Sequence, residues 1–259
     1  MNELLVLGAL LCALAAAVRS TWSPCGLSML STITPVGERG RGQRFGSTAG
    51  WFVAGAVLGG ACLGAVMAGL AAAVARWAPR PDVMALLALG AAVVAAASDL
   101  GLGGFGLPVH HRQVNERWLD GYRSWVYGAG FGFQIGTGLL TYITTAALYL
   151  TVVLGALSAR PLAALLVGTL FGLVRGLAVF GGRRVVDTDA LRRVHRRLAE
   201  LSPASRLLVV IVELAVAVAA ATAVAPLLGL GTAAGAFLVL AARRRFVLSP
   251  ALALVRRRS

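Results

Sequence analysis

The sequence predicts an all-α integral membrane protein with a six-helix core of two inverted three-helix repeats and a seventh, C-terminal helix. Three observations predict it. Of 259 residues, 58% are hydrophobic and 13% charged, and the mean hydropathy is +0.82, far from the composition of a soluble globular domain. The apolar residues fall into blocks of about 20, the length a helix needs to cross a bilayer's hydrocarbon core, and short stretches between them hold nearly all the charge. The first and fourth blocks, finally, align with one another.

In chain order the spans are 4–35, 47–75, 83–106, 125–157, 161–182 and 206–225, with a seventh over 227–242. They form a single polytopic domain: a first repeat over about 1–106, a second over about 125–225, and a C-terminal helix with a basic tail over 226–259. Met1 to Val18 has no basic leader segment and carries Glu3, so it reads as the first membrane helix rather than a cleaved signal peptide. The seventh span is short, and Pro226 with Gly229 and Gly231 supplies a turn before it.

Net charge is +14, and all 24 basic residues are arginine. They lie at the ends of apolar spans, which argues against nucleic acid as a partner and for positive-inside topology. With the N-terminus outside, the inner loops carry Arg39, Arg41, Arg44, Arg112, Arg117, Arg123, Arg183, Arg184, Arg192, Arg193, Arg196 and Arg197, and the outer loops only Arg76, Arg80 and Arg160. A seventh crossing also keeps Arg243–Arg245 and Arg256–Arg258 inside, as expected of a bacterial inner-membrane protein. Before the sixth span, Leu191, Val194, Leu198 and Leu201 alternate at helical spacing with Arg192, Arg193, Arg196 and Arg197. Capped by Asp187, Thr188 and Asp189, this predicts an interfacial helix on anionic lipid headgroups, with a protein partner as the alternative occupant.

Ser23-Pro24-Cys25-Gly26-Leu27-Ser28-Met29-Leu30-Ser31-Thr32-Ile33-Thr34 lies over Phe133-Gln134-Ile135-Gly136-Thr137-Gly138-Leu139-Leu140-Thr141-Tyr142-Ile143-Thr144, with Gly, Leu, a hydroxyl residue, Ile and Thr in register. Gly55 and Gly59 of the second span match Gly168 and Gly172 of the fifth, at small-xxx-small spacing. Three helices per repeat is an odd number, so the second copy crosses in the opposite sense. Such architectures place a site near the midplane, where helices are discontinuous. Breaks are expected at Arg19–Pro24 and among Gly128, Gly130, Gly132, Gly136 and Gly138; Pro24 restricts Ser23 and suits the first turn of a new helix.

Arg19, Asp99, Arg175 and Glu213 lie within apolar spans, where ionisable groups are costly and mark functional sites. An Arg175–Asp99 pair would neutralise two of them, and Glu213 would snorkel to the inner face. Gln134, Thr137, Thr141, Tyr142, Thr144 and Thr145 make the fourth span polar, as helix-contact glue or as a solute-lining wall. His110, His111 and Glu116 lack a third ligand, so no metal is expected. No cofactor motif, triad or phosphate-binding loop is present, and enzyme chemistry has little support. Cys12 and Cys62 read as buried thiols.

At Ser23-Pro24-Cys25-Gly26-Leu27, with Pro35 following, the chain resembles the CcdA/DsbD transmembrane family of cytochrome c biogenesis, and through it the LysE-type exporter superfamily. The resemblance covers about residues 1–225 and implies six inverted-repeat helices. It also implies a redox cysteine pair, of which Cys25 matches the first, whereas Ile135 stands at the second. An oxidoreductase role therefore needs another partner for Cys25, such as Cys62. The leading expectation is a transporter of a small solute or ion with Arg19, Ser23, Pro24, Cys25, Asp99, Gln134, Thr137, Thr141 and Arg175 around its site. The alternatives are a thiol-disulfide conduit through Cys25, and a non-transporting subunit that docks a cytoplasmic partner through its arginine-rich face and the loop around Trp118 and Tyr122.

Overall fold

The computed structural model describes residues 1–104, 106 and 121–256, and among these it is helical with no strand. The helices are α1 (Asn2–Arg19), α2 (Pro24–Thr32), α3 (Pro35–Gly40), α4 (Phe45–Trp77), α5 (Pro81–Leu100), α6 (Ser124–Thr137), α7 (Ala147–Leu157), α8 (Pro161–Leu177), α9 (Thr188–Val224) and α10 (Pro226–Arg256). Five segments, Asn2–Trp22, Phe45–Trp77, Pro81–Leu100, Pro161–Gly182 and Thr188–Val224, are long and apolar enough to cross a membrane. The protein is a multi-pass all-α membrane protein. His110, His111, Arg112, Glu116, Arg117 and Trp118 lie outside the described residues.

Local sequence explains where the helices start. Helices α2, α3, α5, α8 and α10 each begin on a proline, whose fixed φ suits the first turn and whose missing N–H would have no helical acceptor there. The Ser23 hydroxyl accepts from Gly26 N at 3.0 Å, Thr34 from Gly37 N at 3.1 Å and the Asp187 carboxylate from Ala190 N at 2.6 Å, so three helix starts are capped by side chains.

Long helix α4 is the centre of the bundle, packed between α6 and α8. A Cβ on Gly59 would overlap the Phe133 carbonyl, and one on Gly172 would overlap the Ala56 carbonyl. Backbones approach this closely only where side chains are absent, and in lipid that contact replaces the hydrophobic drive available in water. The same contacts give the directions. Phe52 and Ala56 meet Gly132 and Gly136, so α4 and α6 are parallel; Gly60 and Gly64 meet Gly172 and Gly168, so α4 and α8 are antiparallel. Glu3 pairs with Arg160 at 2.5 Å beyond the end of α7, while Arg19 and Ala146 line one cavity at the other end. Helices α1 and α7 therefore also run in opposite senses.

Several expectations are corrected. The segment 191–201 is not a separate interfacial helix but the start of α9, which continues through Pro203. Half-buried Leu191, Val194 and Leu198 hold it to the bundle, and Trp22 donates its indole N–H to Leu198 O at 2.6 Å, next to Ala199, whose carbonyl loses its helical donor at Pro203. The turn before α10 is Ala225 in extended geometry, with Gly229 and Gly231 inside the helix. Glycines 128, 132 and 136 do not break the fourth span; they are the packing surface for α4, and the break begins only at Gly138, with φ +68°. Cys62 is exposed on the outer side of α4.

A buried network fixes the segment between α2 and α4. Fully buried Glu38 accepts from Thr48 Oγ1 at 2.5 Å, Tyr127 Oη at 2.6 Å and Arg41 Nη2 at 2.6 Å. Its charge is thereby matched by a cation and two hydroxyl donors, which a buried carboxylate requires.

Candidate functional site

The fourth span is interrupted over residues 138–146, between α6 and α7. An interruption inside a membrane bundle leaves carbonyls at the end of one helix and N–H groups at the start of the next, and hydrocarbon satisfies neither. Two charges from other helices meet this demand. Arg175 of α8, only 3% exposed, donates Nη1 to Ile135 O at 2.7 Å and Nη2 to Thr141 Oγ1 at 3.2 Å, with its guanidinium 5.8 Å from the Phe171 ring centroid. Asp99, the penultimate residue of α5, accepts from Ala146 N at 2.8 Å and from the Thr145 hydroxyl. A cation thus sits at the C-terminus of α6 and an anion at the N-terminus of α7, each matching the local helix dipole. The expected Arg175–Asp99 ion pair is absent, because each charge is spent on a different end of the break.

Beside the break lies a cavity of about 440 Å³, between the C-terminal ends of α1 and α5, the segment 142–146 and the middle of α9. Its polar lining includes Arg19, Ser98, Asp99, Thr144, Thr145 and Arg206. Arg19 is oriented by Ser205 Oγ at 2.9 Å and Ser202 Oγ at 3.4 Å. The buried Oγ1 of Thr144 has no hydrogen-bond partner among the described residues. Two guanidinium groups face one carboxylate whose oxygens already accept from Thr145 and Ala146, so the arrangement suits an anionic or dipolar solute.

The sequence-predicted residues divide. Arg19 and Asp99 line the cavity; Arg175 and Thr141 brace the break behind it. Ser23 caps α2, Pro24 opens that helix, and Thr137 donates to the backbone of Gln134 at 2.8 Å; none of these four residues lines the cavity. Cys25 is buried in an apolar cluster with Met29, Phe131, Ile135 and Val179, and neither it nor Gln134 lines the cavity at the break. None of Cys12, Cys25 and Cys62 is in a disulfide; the first two are buried and the third is exposed. Arg206 was missed because it stands at the boundary of the sixth span and resembles an end-of-helix anchor. Glu213 does not snorkel: it is fully buried. On the other side of α9, Arg183, Arg184, Arg193, Arg196 and Arg197 line a second, solvent-open groove with Glu200.

The chain is similar to methylamine utilization proteins. It is 32% identical over 180 residues to methylamine utilization protein MauF of Paracoccus versutus, covering 68% of this chain and 64% of that protein. Against MauF of Methylophilus methylotrophus it is 32% identical over 166 residues, 62% of this chain and 56% of the relative. Against MauF of Paracoccus denitrificans it is 33% identical over 181 residues, 67% and 62% respectively. The matched segment thus spans less than two thirds of these relatives' lengths. No family model matches the chain, and no solved structure does. These findings overturn the CcdA/DsbD resemblance: its short motif around Pro24 and Cys25 is a helix start, and the relatives found carry the MauF name.

Proposed function

We propose that this protein passes a small polar or anionic solute across the membrane, in a system akin to methylamine utilization, with the cavity at the fourth-span break as its working site. The observation that carries the reading is the cavity itself: a polar, arginine-bearing space at the ends of several helices, next to a broken span braced at both ends by buried charge. A scaffold that merely anchors has no need of these costly groups. The opposed senses of α1 and α7, and of α4 and α8, support a pair of inverted halves, over about 1–106 and 125–225, that rock about this space. The same reading places the protein in the bacterial inner membrane with its N-terminus outside. Arg19, Asp99, Thr144 and Arg206 would contact the solute.

Two-sided accessibility tests the proposal without knowledge of the solute. In a Cys62→Ser background, which retains only the two buried native thiols, Thr144→Cys is expected to react with a membrane-impermeant maleimide applied to either face of oriented vesicles. Reaction from one face alone would sink transport. That result would favour a second reading, in which the protein docks a cytoplasmic partner through its arginine groove, a feature the transport reading does not use.

A further inference from the structure

Glu213 lies in the middle of α9, within the membrane, and is 0% exposed. Neither carboxyl oxygen has a hydrogen-bond partner among the described residues. It contrasts with Glu38, equally buried but held by three donors. An ionised carboxylate with no partner at such depth is strongly disfavoured, so this setting accommodates the neutral acid and not the anion. Packing alone gives no reason for a carboxyl here, since a leucine or methionine fills similar volume without that cost.

The surroundings connect this group to the cavity. Val209, one turn back on the same face of α9 and about 6 Å along its axis, lines the cavity, as does Arg206 two turns back. Asp99 on α5 and Cys12 on α1 are within electrostatic reach of Glu213, and Arg19 on α1 faces Asp99 across the cavity. Tyr149 on α7 also lines it. The stretch Pro226–Ala241 of α10, which packs on α9, contains no titratable side chain.

We propose that Glu213 is an intramembrane proton-binding site that exchanges its proton with the cavity at Asp99, making a proton the coupling ion for what the cavity passes. The coupling rests on the transport reading; the proton site does not. On discharge the carboxyl O–H bond breaks and the proton passes to cavity water or to the Asp99 carboxylate, leaving the Glu213 anion. That anion has no donor in the arrangement seen, so discharge requires a movement that brings water or Arg206 to it. Loading reverses these steps. Proton release is thereby tied to conformation, as coupled movement of a solute demands.

Infrared spectroscopy of the full chain in lipid nanodiscs tests this. The wild type is expected to show the carbonyl band of a protonated carboxyl at neutral pH, fading as pH is raised, and Glu213→Gln is expected to lose it. Dicyclohexylcarbodiimide, an apolar reagent that adds to protonated carboxyls, should modify Glu213 over the same pH range, read by peptide mass spectrometry. Asp99→Asn removes a negative neighbour and eases ionisation, so the midpoint should fall by about half a pH unit or more. A band unchanged in Glu213→Gln, or a midpoint unmoved in Asp99→Asn, overturns the proposal. One-sided reaction of Thr144→Cys with these signals intact would instead end the transport reading and spare the proton site.

Discussion

Arg175 and Asp99 are opposite charges inside a bilayer, yet they do not pair; each bonds backbone and hydroxyl groups at one end of the same helix break. Their presence was legible in the sequence because charge inside an apolar span has few explanations. Their partners were not, because the acceptor at Ile135 and the donor at Ala146 exist as unmet groups only once the fourth span is interrupted. Glu38 was missed for a related reason: in the sequence it is one acid in an arginine-rich loop, and only the fold brings Tyr127 to it from 89 positions away. The role of Arg175 has a direct consequence. Arg175→Met keeps most of the side-chain volume but leaves the Ile135 carbonyl and the Thr141 hydroxyl without their donor, a loss of about 1–3 kcal/mol for buried groups. Thermal unfolding of the purified protein in detergent should show a clearly lowered midpoint. An unchanged midpoint would mean that water satisfies the break and that Arg175 is free for another task.

Pro24 was legible in the sequence as the first turn of a helix, and it opens α2; the same physics, not drawn on for the others, makes prolines 35, 81, 161 and 226 each open a helix too. The break in the fourth span was expected among glycines 128–138 and is found at 138–146. A glycine at every fourth position weakens a helix by propensity, but in a membrane it also lets a second backbone approach, and here that contact outweighs the propensity cost. Sequence spacing alone cannot say which effect governs; the partner stripe on α4, Gly55 and Gly59, decides it. Gly59→Leu therefore tests the element. Its side chain would drive into the Phe133 carbonyl and the backbone at Gly136, so α4 and α6 must separate. Overpacking usually costs about 1–3 kcal/mol, and backbone offers less relief than a flexible side chain. The variant is expected to unfold at lower temperature and to lose two-sided reactivity at Thr144→Cys, whereas Gly69→Leu, on an open face of α4, should change neither.

At the scale of the whole molecule, the directions of the helices and the distribution of arginine constrain the same quantity. Helices α1 and α5 both end at the cavity that Arg19 and Asp99 line, so they run in the same sense, and α4 between them runs back. The turn at Ala78, between α4 and α5, therefore lies on the face where α1 begins. The arginine-rich segment 183–197, which includes the first turns of α9, follows α8, which is antiparallel to α4 and so ends on the face where α4 starts, opposite Ala78. The proposed orientation, in which arginine-rich loops are retained on the cytoplasmic side of a bacterial inner membrane, would have the 183–197 segment inside and Ala78 outside. In a Cys62→Ser background, Ala78→Cys is thus expected to react with an impermeant thiol reagent in intact cells, and Thr188→Cys only after the cells are opened; both positions are exposed. The paired positions guard against a trivial result, because a protein that failed to insert would label equally at both. Reaction at Thr188→Cys and not at Ala78→Cys in intact cells would invert the topology, turn the arginine groove outward, and remove the cytoplasmic partner from consideration.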